Sequence, residues 1–333
     1  MSKNSFLKII LAALLIAAGL AVKDTELVKQ YVPLLLQQVQ AMDDVTEAVP
    51  VQQPQPQKQN IARLADDILL VTALDIGQGD SILVQMQGKN ILIDSGDRST
   101  ASQLLTKLEE NHVQQLDMLV ATHPHADHIG GMQAVLNRFP VKQVYDSGQK
   151  YKTKMYNDFR AQIEKEQIPF EVLRSGQEIA LNEMVKLKVL SPQEKLYKGT
   201  ASDANNNSLV LRLEYGDFSM LLTGDIQAEV ERDLLQNCPQ YLPAQVLKVA
   251  HHGSKTSSIN DFLQAVHPQT AIISSGNGNK YNHPSPEVVQ RLQALPADVF
   301  DTASCGDIII KSNGKTSDLT VEKFYDGQQL KAA

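Results

Sequence analysis

The feature that most restricts the fold of this chain is the run 123–128, His-Pro-His-Ala-Asp-His, which lies between an apolar segment and a periodic one. The apolar segment 117–121 before it predicts a short buried strand, and the periodic segment 132–139 after it predicts a helix. Gly130 and Gly131 separate the run from that helix. The run therefore occupies a strand-to-helix turn, where α/β proteins gather functional side chains outside the carboxyl ends of strands.

The residue types in this run predict metal binding. Imidazole and carboxylate are ligands that zinc and similar divalent ions prefer. His123 and His125 are two positions apart, so an extended turn directs both to one ion, whereas Asp127 and His128 can be aimed at a second. Three of the chain's eight histidines lie here, which solvated surface residues do not explain. We expect two divalent ions, with Zn²⁺ favoured and Mn²⁺ as the alternative.

The same run resembles the signature of the metallo-β-lactamase superfamily, whose His-x-His-x-Asp-His loop binds two metal ions. The resemblance implies an α/β fold, the four-layer αββα metallo-β-lactamase sandwich. Segment 74–81, Leu-Asp-Ile-Gly-Gln-Gly-Asp-Ser, narrows the resemblance to one branch of the superfamily. Together with the metal loop, this segment is similar to the extracytoplasmic metallo-β-lactamase-like domain of the competence protein ComEC and its stand-alone relatives. Asp94, after the predicted strand 90–93, resembles the superfamily's first motif, whose aspartate buttresses the metal loop.

Two later strand ends supply further candidate ligands. Segment 209–225 predicts a β-hairpin that places Asp225 at the end of a buried strand. The resemblance implies that Asp225 bridges both metals, whereas its alternative role is N-cap of the predicted helix 227–235. His251 and His252 follow the predicted strand 246–250. The resemblance implies that one of them binds the second metal; we assign this to His252 and give His251 a substrate contact or proton transfer, with their order left open.

One ligand of the resembling family is missing. Many superfamily members carry a histidine between the metal loop and the bridging aspartate, but none occurs between Ile129 and Ala250. The predicted turn 205–208, Asn-Asn-Asn-Ser, occupies that region. An Asn or Ser oxygen, water or substrate would complete the first site, or that site binds weakly. The absence fits the ComEC-like branch and counts against a β-lactamase or glyoxalase.

A further candidate site residue is His283, which lies in the Gly-, Asn- and Pro-rich loop 276–286. Ser285 is the expected N-cap and Pro286 the first residue of the next helix. His283 lies just outside this helix N-terminus, where an anion is favoured, and a similar His-Pro-Ser-Pro loop occurs in the ComEC-like branch. We predict a phosphate-binding or acid–base role, which makes Asp127, His251 and His283 the candidate catalytic residues.

The N-terminal segment of the sequence predicts export. Residues 1–22 contain an uncharged, mostly apolar stretch, 9–22, behind Lys3 and Lys8, which is typical of a signal peptide or membrane anchor. Residues 23–60 predict a helix and a Gln/Pro-rich linker, and 61–333 the catalytic domain. We expect a secreted or periplasmic protein, or one anchored to the membrane and facing outside the cytoplasm. Segments 306–311 and 318–324 predict edge strands that complete the second sheet.

Charge and cysteine content add exclusions. The formal net charge of −7 argues against a broadly basic nucleic-acid-binding surface but permits a local basic groove. Lys150, Lys152, Lys154 and Arg160 form a basic cluster, which either meets a phosphate backbone or, as we favour, is a solvated helix face. The chain's two cysteines form neither a disulfide framework nor a Cys-based metal site.

The predicted function is metal-dependent hydrolysis. Two divalent ions would hold a bridging water and lower its pKa, giving a metal-bound hydroxide. The resemblance implies a phosphodiesterase or nuclease acting outside the cytoplasm, with DNA or a small phosphodiester as the substrate and no protein partner indicated. One alternative is a hydrolase of a lactone or other non-phosphate ester. The other is a metal-retaining DNA-uptake accessory protein without turnover.

Overall fold

The computed structural model describes residues 67–315 and 320–323. The predicted signal or anchor segment 1–22 and the predicted helix and linker 23–60 lie outside the described residues. Among the residues that are described, no helix is long and apolar enough to cross a membrane.

Strands of the described residues form two sheets. They are β1 (Leu69–Ala73), β2 (Ile82–Met86), β3 (Lys89–Ile93), β4 (Met118–Ala121), β5 (Val144–Asp146), β6 (Phe170–Val172), β7 (Glu178–Ala180), β8 (Val185–Ser191), β9 (Val210–Tyr215), β10 (Phe218–Leu222), β11 (Val246–Lys248), β12 (Thr270–Ile273), β13 (Asp298–Asp301), β14 (Ile308–Ser312) and β15 (Thr320–Lys323).

Helices connect these strands and cover the outer faces of the sheets. The α-helices are α1 (Ala101–Glu110), α2 (Ala126–Ile129), α3 (Met132–Arg138), α4 (Lys154–Lys165), α5 (Asp203–Asn206), α6 (Ala228–Asn237), α7 (Asn260–Val266), α8 (Pro286–Gln293) and α9 (Thr302–Cys305). Short 3₁₀ helices span Arg98–Thr100, Pro239–Tyr241 and Ala250–Gly253.

The first sheet has the strand order β15-β14-β1-β2-β3-β4-β5-β6, and the second has β13-β12-β11-β10-β9-β8-β7. The apolar runs 68–76, 81–86 and 90–93 of the sequence predict an antiparallel meander. The pairing of β1 with β2 and of β2 with β3 confirms it. The prediction for the last two strands was wrong. Both strands join the first sheet, where β14 pairs with β1. Of the two, only β15 is an edge strand. An isolated apolar run does not encode its sheet, because both sheets need the same pattern on their inner faces.

Three apolar clusters establish the layers. Inner-face residues of both sheets form one buried cluster, which includes Val84, Ile91, Leu211 and Met220. The second cluster joins the outer face of the second sheet to α6, α7 and α8, and the third joins the outer face of the first sheet to α1, α3 and α4. Helices therefore cover both sheets, which confirms the four-layer αββα sandwich.

Local sequence explains the elements that carry the site. The predicted hairpin is β9 and β10, joined at Gly216-Asp217, where Gly216 has a φ of 55° that a two-residue hairpin turn requires. Helix α8 begins as predicted, with the Ser285 side chain accepting a hydrogen bond from the Val288 amide and Pro286 in the first turn. No disulfide links the cysteines Cys238 and Cys305.

Candidate active site

The candidate site lies where strand ends of the two sheets meet. β3 and β4 are parallel, as are β10 and β11, so their carboxyl ends lie at the same edge of each sheet. Asp94 follows β3, His123 lies two residues after β4, Asp225 lies three after β10, and His252 lies four after β11. Side chains that are far apart in the chain thus converge at one place.

One group of possible ligands consists of His123, His125 and Asp225, whose ligand atoms all lie within 4.8 Å of one another. His123 Nε2 is 3.1 Å from His125 Nδ1 and 3.6 Å from Asp225 Oδ2. His123 and Asp225 are buried, whereas His125 is partly exposed. The structure brings together the two histidines that the sequence assigns to one ion.

A second group consists of Asp127, His128 and His252, again with ligand atoms within 4.8 Å of one another. The Nε2 atoms of His128 and His252 are 3.3 Å apart. Asp127 Oδ2 lies 3.6 Å from His252 Nε2. Both histidines are buried, so their facing nitrogens are shielded from bulk water.

Asp225 lies between the two groups. Its Oδ2 faces His123, while its Oδ1 lies 3.3 Å from His128 Nε2 and 3.6 Å from His252 Nε2. Oδ1 is buried and has no hydrogen-bond partner. The alternative role as a helix cap does not apply, because α6 begins at Ala228 with Gln227 as its N-cap.

Asp94 supports the metal loop from behind. One carboxylate oxygen accepts a hydrogen bond from the Thr122 amide at 2.8 Å. The other accepts from the Thr122 hydroxyl at 2.6 Å and from His128 Nδ1 at 2.7 Å. When the neutral His128 ring donates from Nδ1 to the carboxylate, the lone pair of its Nε2 faces the site. Such partners orient metal-binding histidines and raise their basicity.

The turn that carries His251 and His252 has an uncommon backbone. Their φ values are 51° and 54°, in the left-handed region that costs non-glycine residues about 1 kcal/mol or more each. His252 Nδ1 donates to the Ser274 carbonyl oxygen at 2.9 Å. Its Nε2 lone pair is therefore also directed at the other ligands.

These residues fit divalent ions. The donor set contains only imidazole nitrogens and carboxylate oxygens, which suit zinc and manganese. Outer hydrogen bonds already occupy Nδ1 of His128 and His252, and the buried Asp225 Oδ1 lacks a partner that a cation would supply. Buried polar atoms without partners are rare in folded proteins and call for an explanation.

Electrostatic coupling inside the cluster is strong. Burial alone would raise the pKa of Asp225, but the neighbouring His128, His252 and His123 hold it well below its usual range. Burial would lower the pKa of His128, but the carboxylates of Asp225 and Asp94 raise it well above the usual value. For His123, burial prevails and the pKa falls well below normal. Shifts caused by burial together with specific charged partners are typical of functional sites.

A cavity of about 320 Å³ opens above the cluster. His251 Nε2 lies 3.8 Å from Asp225 Oδ2, and its ring is 5.4 Å from that of His283. Burial, with the nearby His251 and His252, lowers the pKa of His283 to about 4, so its ring is uncharged at neutral pH. The cavity is lined by Gln78, His125, Ala126, Asp127, Asn205, Asp225, His251, His252, Tyr281 and His283.

Asn205 belongs to the turn 205–208, in the region of the chain where many members of the resembling family carry a histidine ligand. It is buried and lines the cavity, with its Oδ1 lacking a hydrogen-bond partner and its Nδ2 3.3 Å from His251 Nε2. Ser208 instead faces the backbone, since its hydroxyl accepts a hydrogen bond from the Asp225 amide at 3.2 Å. Of the two predicted residue types, Asn is therefore the one that reaches the cavity.

Sequence reasoning did not assign two features of segment 74–81. Gln78 lines the cavity, and both polar atoms of its amide are buried without partners. Asp80 forms a buried ion pair with Lys248, with Nζ 2.9 Å from Oδ1. Two features of the sequence could have indicated these roles: the unusual Gly-Gln-Gly-Asp turn and the lysine inside the apolar segment 246–250. No local sequence pattern shows that the two meet in space.

Comparisons with known proteins identify the family to which this chain is similar. The model of the family described as Metallo-beta-lactamase superfamily matches residues 74–276. ComE operon protein 3 of Bacillus subtilis is 34% identical over 78% of this chain and 35% of its own length. Competence protein ComA of Neisseria gonorrhoeae is 32% identical over 77% of this chain and 34% of its own length. The chain thus spans about a third of the length of these relatives.

A similar solved structure is the metallo-beta-lactamase fold protein YhfI from Bacillus subtilis. It aligns with a TM-score of 0.47 and 11% identity over 73% of this chain and 99% of that chain.

Proposed function

Because the chain belongs to the metallo-beta-lactamase superfamily, we propose that it is a metal-dependent phosphodiesterase that acts as a nuclease on DNA. The observation that carries the proposal is the position of Asp225 in the lining of the cavity, where its Oδ2 faces His123 and its Oδ1 faces His128 and His252. A pair of cations is suited to a phosphodiester, because its reacting centre and leaving oxygen both gain negative charge.

The ligand assignments follow the geometry. His123, His125 and Asp225 would hold one ion, and Asp127, His128, Asp225 and His252 the other. When bound, the ions would polarise a phosphoryl oxygen and lower the pKa of a water molecule. Asp127 is partly exposed to the cavity, so its carboxylate can also orient the attacking water.

The two remaining histidines act on the substrate. His251 faces the cavity beside Asp225 and can carry a proton to or from a reacting oxygen. His283 is uncharged at neutral pH, so it serves as an N–H donor to a phosphate oxygen rather than as a cation. Asn205 and Gln78 add neutral amide groups to the same wall, which can bind oxygens without adding charge.

Names of relatives favour nucleic acid over other esters. One matched relative is called a competence protein and another, from Haemophilus influenzae, Recombination protein 2. The apolar stretch 9–22 supports a location outside the cytoplasm, either released or attached to a membrane by that segment. In that location the substrate would be incoming or environmental DNA.

The test uses the full chain, purified with metal analysis and supplied in turn with Zn²⁺ and Mn²⁺. We would compare hydrolysis of bis(p-nitrophenyl) phosphate, plasmid DNA and single-stranded DNA. Asp127→Ala is the inactive variant, and Asp261→Ala, at an exposed position of α7, is the matched control. We expect metal-dependent cleavage that Asp127→Ala loses and Asp261→Ala keeps.

The alternatives give different results in this assay. Bound metal without turnover of any phosphodiester contradicts the proposal. Hydrolysis of a lactone panel under those conditions would then identify a different ester class. Retained DNA binding without any turnover would identify an accessory role in DNA uptake.

A further inference from the structure

Two tyrosines stand against two different histidines of the cavity. The Tyr281 ring lies nearly parallel to that of His283, at 23° and 5.7 Å between centroids. The Tyr151 ring meets the His125 ring edge-on, at 66° and 5.4 Å. Tyr281 is 51% exposed, so part of its ring is open to a ligand in solution.

Lysines accompany both tyrosines. Lys280 Nζ lies 5.0 Å from the centroid of the Tyr281 ring. Lys150 and Lys152 flank Tyr151, and all three lysines are exposed. Within the part of the chain that the structure describes, none of them is paired with a carboxylate, unlike Lys154, which binds Asp158 at 2.5 Å. Three exposed lysines thus accompany the two tyrosines although the chain carries a net charge of −7, and we call these five residues the rim.

We propose that this rim binds single-stranded nucleic acid across the site. Bases near the scissile phosphate stack on Tyr281 and on Tyr151, and the flanking lysines contact backbone phosphates. The inference rests on the proposed phosphodiesterase function and specifies its substrate class. It also divides the predicted basic cluster: Lys150 and Lys152 serve binding, whereas Lys154 belongs to the solvated face of α4.

The combination of groups favours a single strand over a duplex. Stacking on an aromatic ring requires an unpaired base with a free face, and each such contact contributes about tenfold or more to affinity. A duplex needs only positive charge along its backbones, because its bases already stack on one another. A small phosphodiester without a base would use the ligands and His283 but leave both tyrosines idle.

The first test measures binding without turnover. The full chain in EDTA is titrated into fluorescein-labelled oligothymidylate and into an abasic strand of the same length and charge. We expect the wild type to bind the base-containing strand about tenfold more tightly or better. Tyr281→Ala and Tyr151→Ala should each bring that ratio towards one, whereas the matching Phe variants, which keep the ring, should preserve it.

Matched controls come from elsewhere on the surface. Tyr241 also has a lysine beside it, with Lys188 Nζ 4.3 Å from its ring centroid. Unlike Tyr151 and Tyr281, it has no ring contact with a cavity histidine within the described residues. Tyr241→Ala should leave the ratio unchanged. The lysines are tested through the slope of the logarithm of the binding constant against the logarithm of the salt concentration. Lys280→Ser should make this slope shallower by about 0.7 for each phosphate contact that is lost. Lys165→Ser, at the far end of α4, should leave the slope unchanged.

The outcomes separate this inference from the proposed function. Equal binding of base-containing and abasic strands by the wild type, or a preference that survives both Tyr→Ala variants, overturns the single-strand inference even when the enzyme cleaves DNA. A base preference that depends on the tyrosines supports the inference even when no phosphodiester is cleaved, and in that case the nuclease proposal alone fails.

Discussion

The two histidine turns of the site are built by different means. The metal loop after β4 is an ordinary strand-to-helix turn, and a single buried carboxylate, Asp94, holds its Thr122 and His128 by three hydrogen bonds. The turn after β11 has two consecutive left-handed histidines. It is preceded by Lys248, whose buried ammonium binds Asp80 and the Val249 carbonyl oxygen.

This difference shows two ways to orient an imidazole. In the metal loop the backbone is relaxed, so orientation comes from side-chain hydrogen bonds that stay in place without a ligand. In the second turn, backbone strain must be offset by surrounding contacts, among them the His251 amide to the Gly224 carbonyl oxygen at 3.0 Å and His252 to Ser274. The second turn should therefore tolerate less change to its supports.

Removing the buried ammonium should have the largest effect. Lys248→Ala leaves the buried Asp80 without its ammonium, with His252 Nδ1 nearby at 3.7 Å. Loss of one partner of a buried ion pair lowers the free energy of unfolding by about 3–5 kcal/mol. Urea denaturation of the metal-free chain measures it. The double variant Asp80→Asn with Lys248→Met removes both charges and should recover most of the loss. A loss under 1 kcal/mol in Lys248→Ala would mean that the pair does not support the second turn.

Separate replacement of the two adjacent histidines tests their roles. His252→Ala removes a member of the group with Asp127 and His128, so we expect about one bound ion fewer per chain. His251→Ala should keep the metal content and lower kcat by about 10²-fold or more, as expected for lost proton transfer.

Metal analysis after dialysis, with kcat measured on bis(p-nitrophenyl) phosphate, separates these outcomes. If His251→Ala loses an ion and His252→Ala does not, the two assignments are reversed.

The support of the first turn should affect metal affinity. Asp94→Asn places an amide donor against the donors of Thr122 or His128, so we expect metal affinity to fall about 10- to 100-fold. Competition with a chromogenic chelator measures this. Asp97→Asn is the control, because Asp97 caps only the exposed 3₁₀ turn at Arg98–Thr100. An unchanged affinity in Asp94→Asn would show that the backbone alone shapes the metal loop.

The smallest expected effect is a change of stability with pH, through Glu231, which binds the segment that follows the second turn. Glu231 is buried and accepts hydrogen bonds from the Ser258 and Ile259 amides at 2.6 and 2.9 Å. Burial raises the pKa of Glu231 from 4.5 to about 7. Because the folded state holds this proton more tightly, its stabilisation is complete below pH 4.5 and is lost as the pH rises through 7.

We expect the free energy of unfolding to fall by about 1–3 kcal/mol from this group between pH 5 and 8. The free energy of unfolding is measured for the metal-free wild type and for Glu231→Gln at both pH values. The difference between the two proteins at each pH cancels the contribution of other titrating groups. Parallel pH profiles for the two proteins would show that Glu231 does not change its protonation in this range.

Much of the site could be predicted because its residues mark the ends of strands. The metal loop, Asp225, the His251-His252 pair and His283 each follow an apolar run or precede a helix signal, so local patterns place them at one edge of an α/β fold. Gln78 and Asp80 lie on a comparable turn. Their roles could not be predicted, because the cavity wall and Lys248 come from distant parts of the chain.

The sequence by itself determined the meander, the hairpin and the ligand types, since hydrophobic period, turn glycines and imidazole chemistry are local properties, and its resemblance to a known family implied the sandwich. Only the tertiary structure decided that β14 and β15 close the first sheet, that Asp80 meets Lys248, and that Tyr151 and Tyr281 flank the cavity histidines. Each of these depends on which distant surfaces pack together, and that choice is made by the summed burial of the whole core rather than by any single segment.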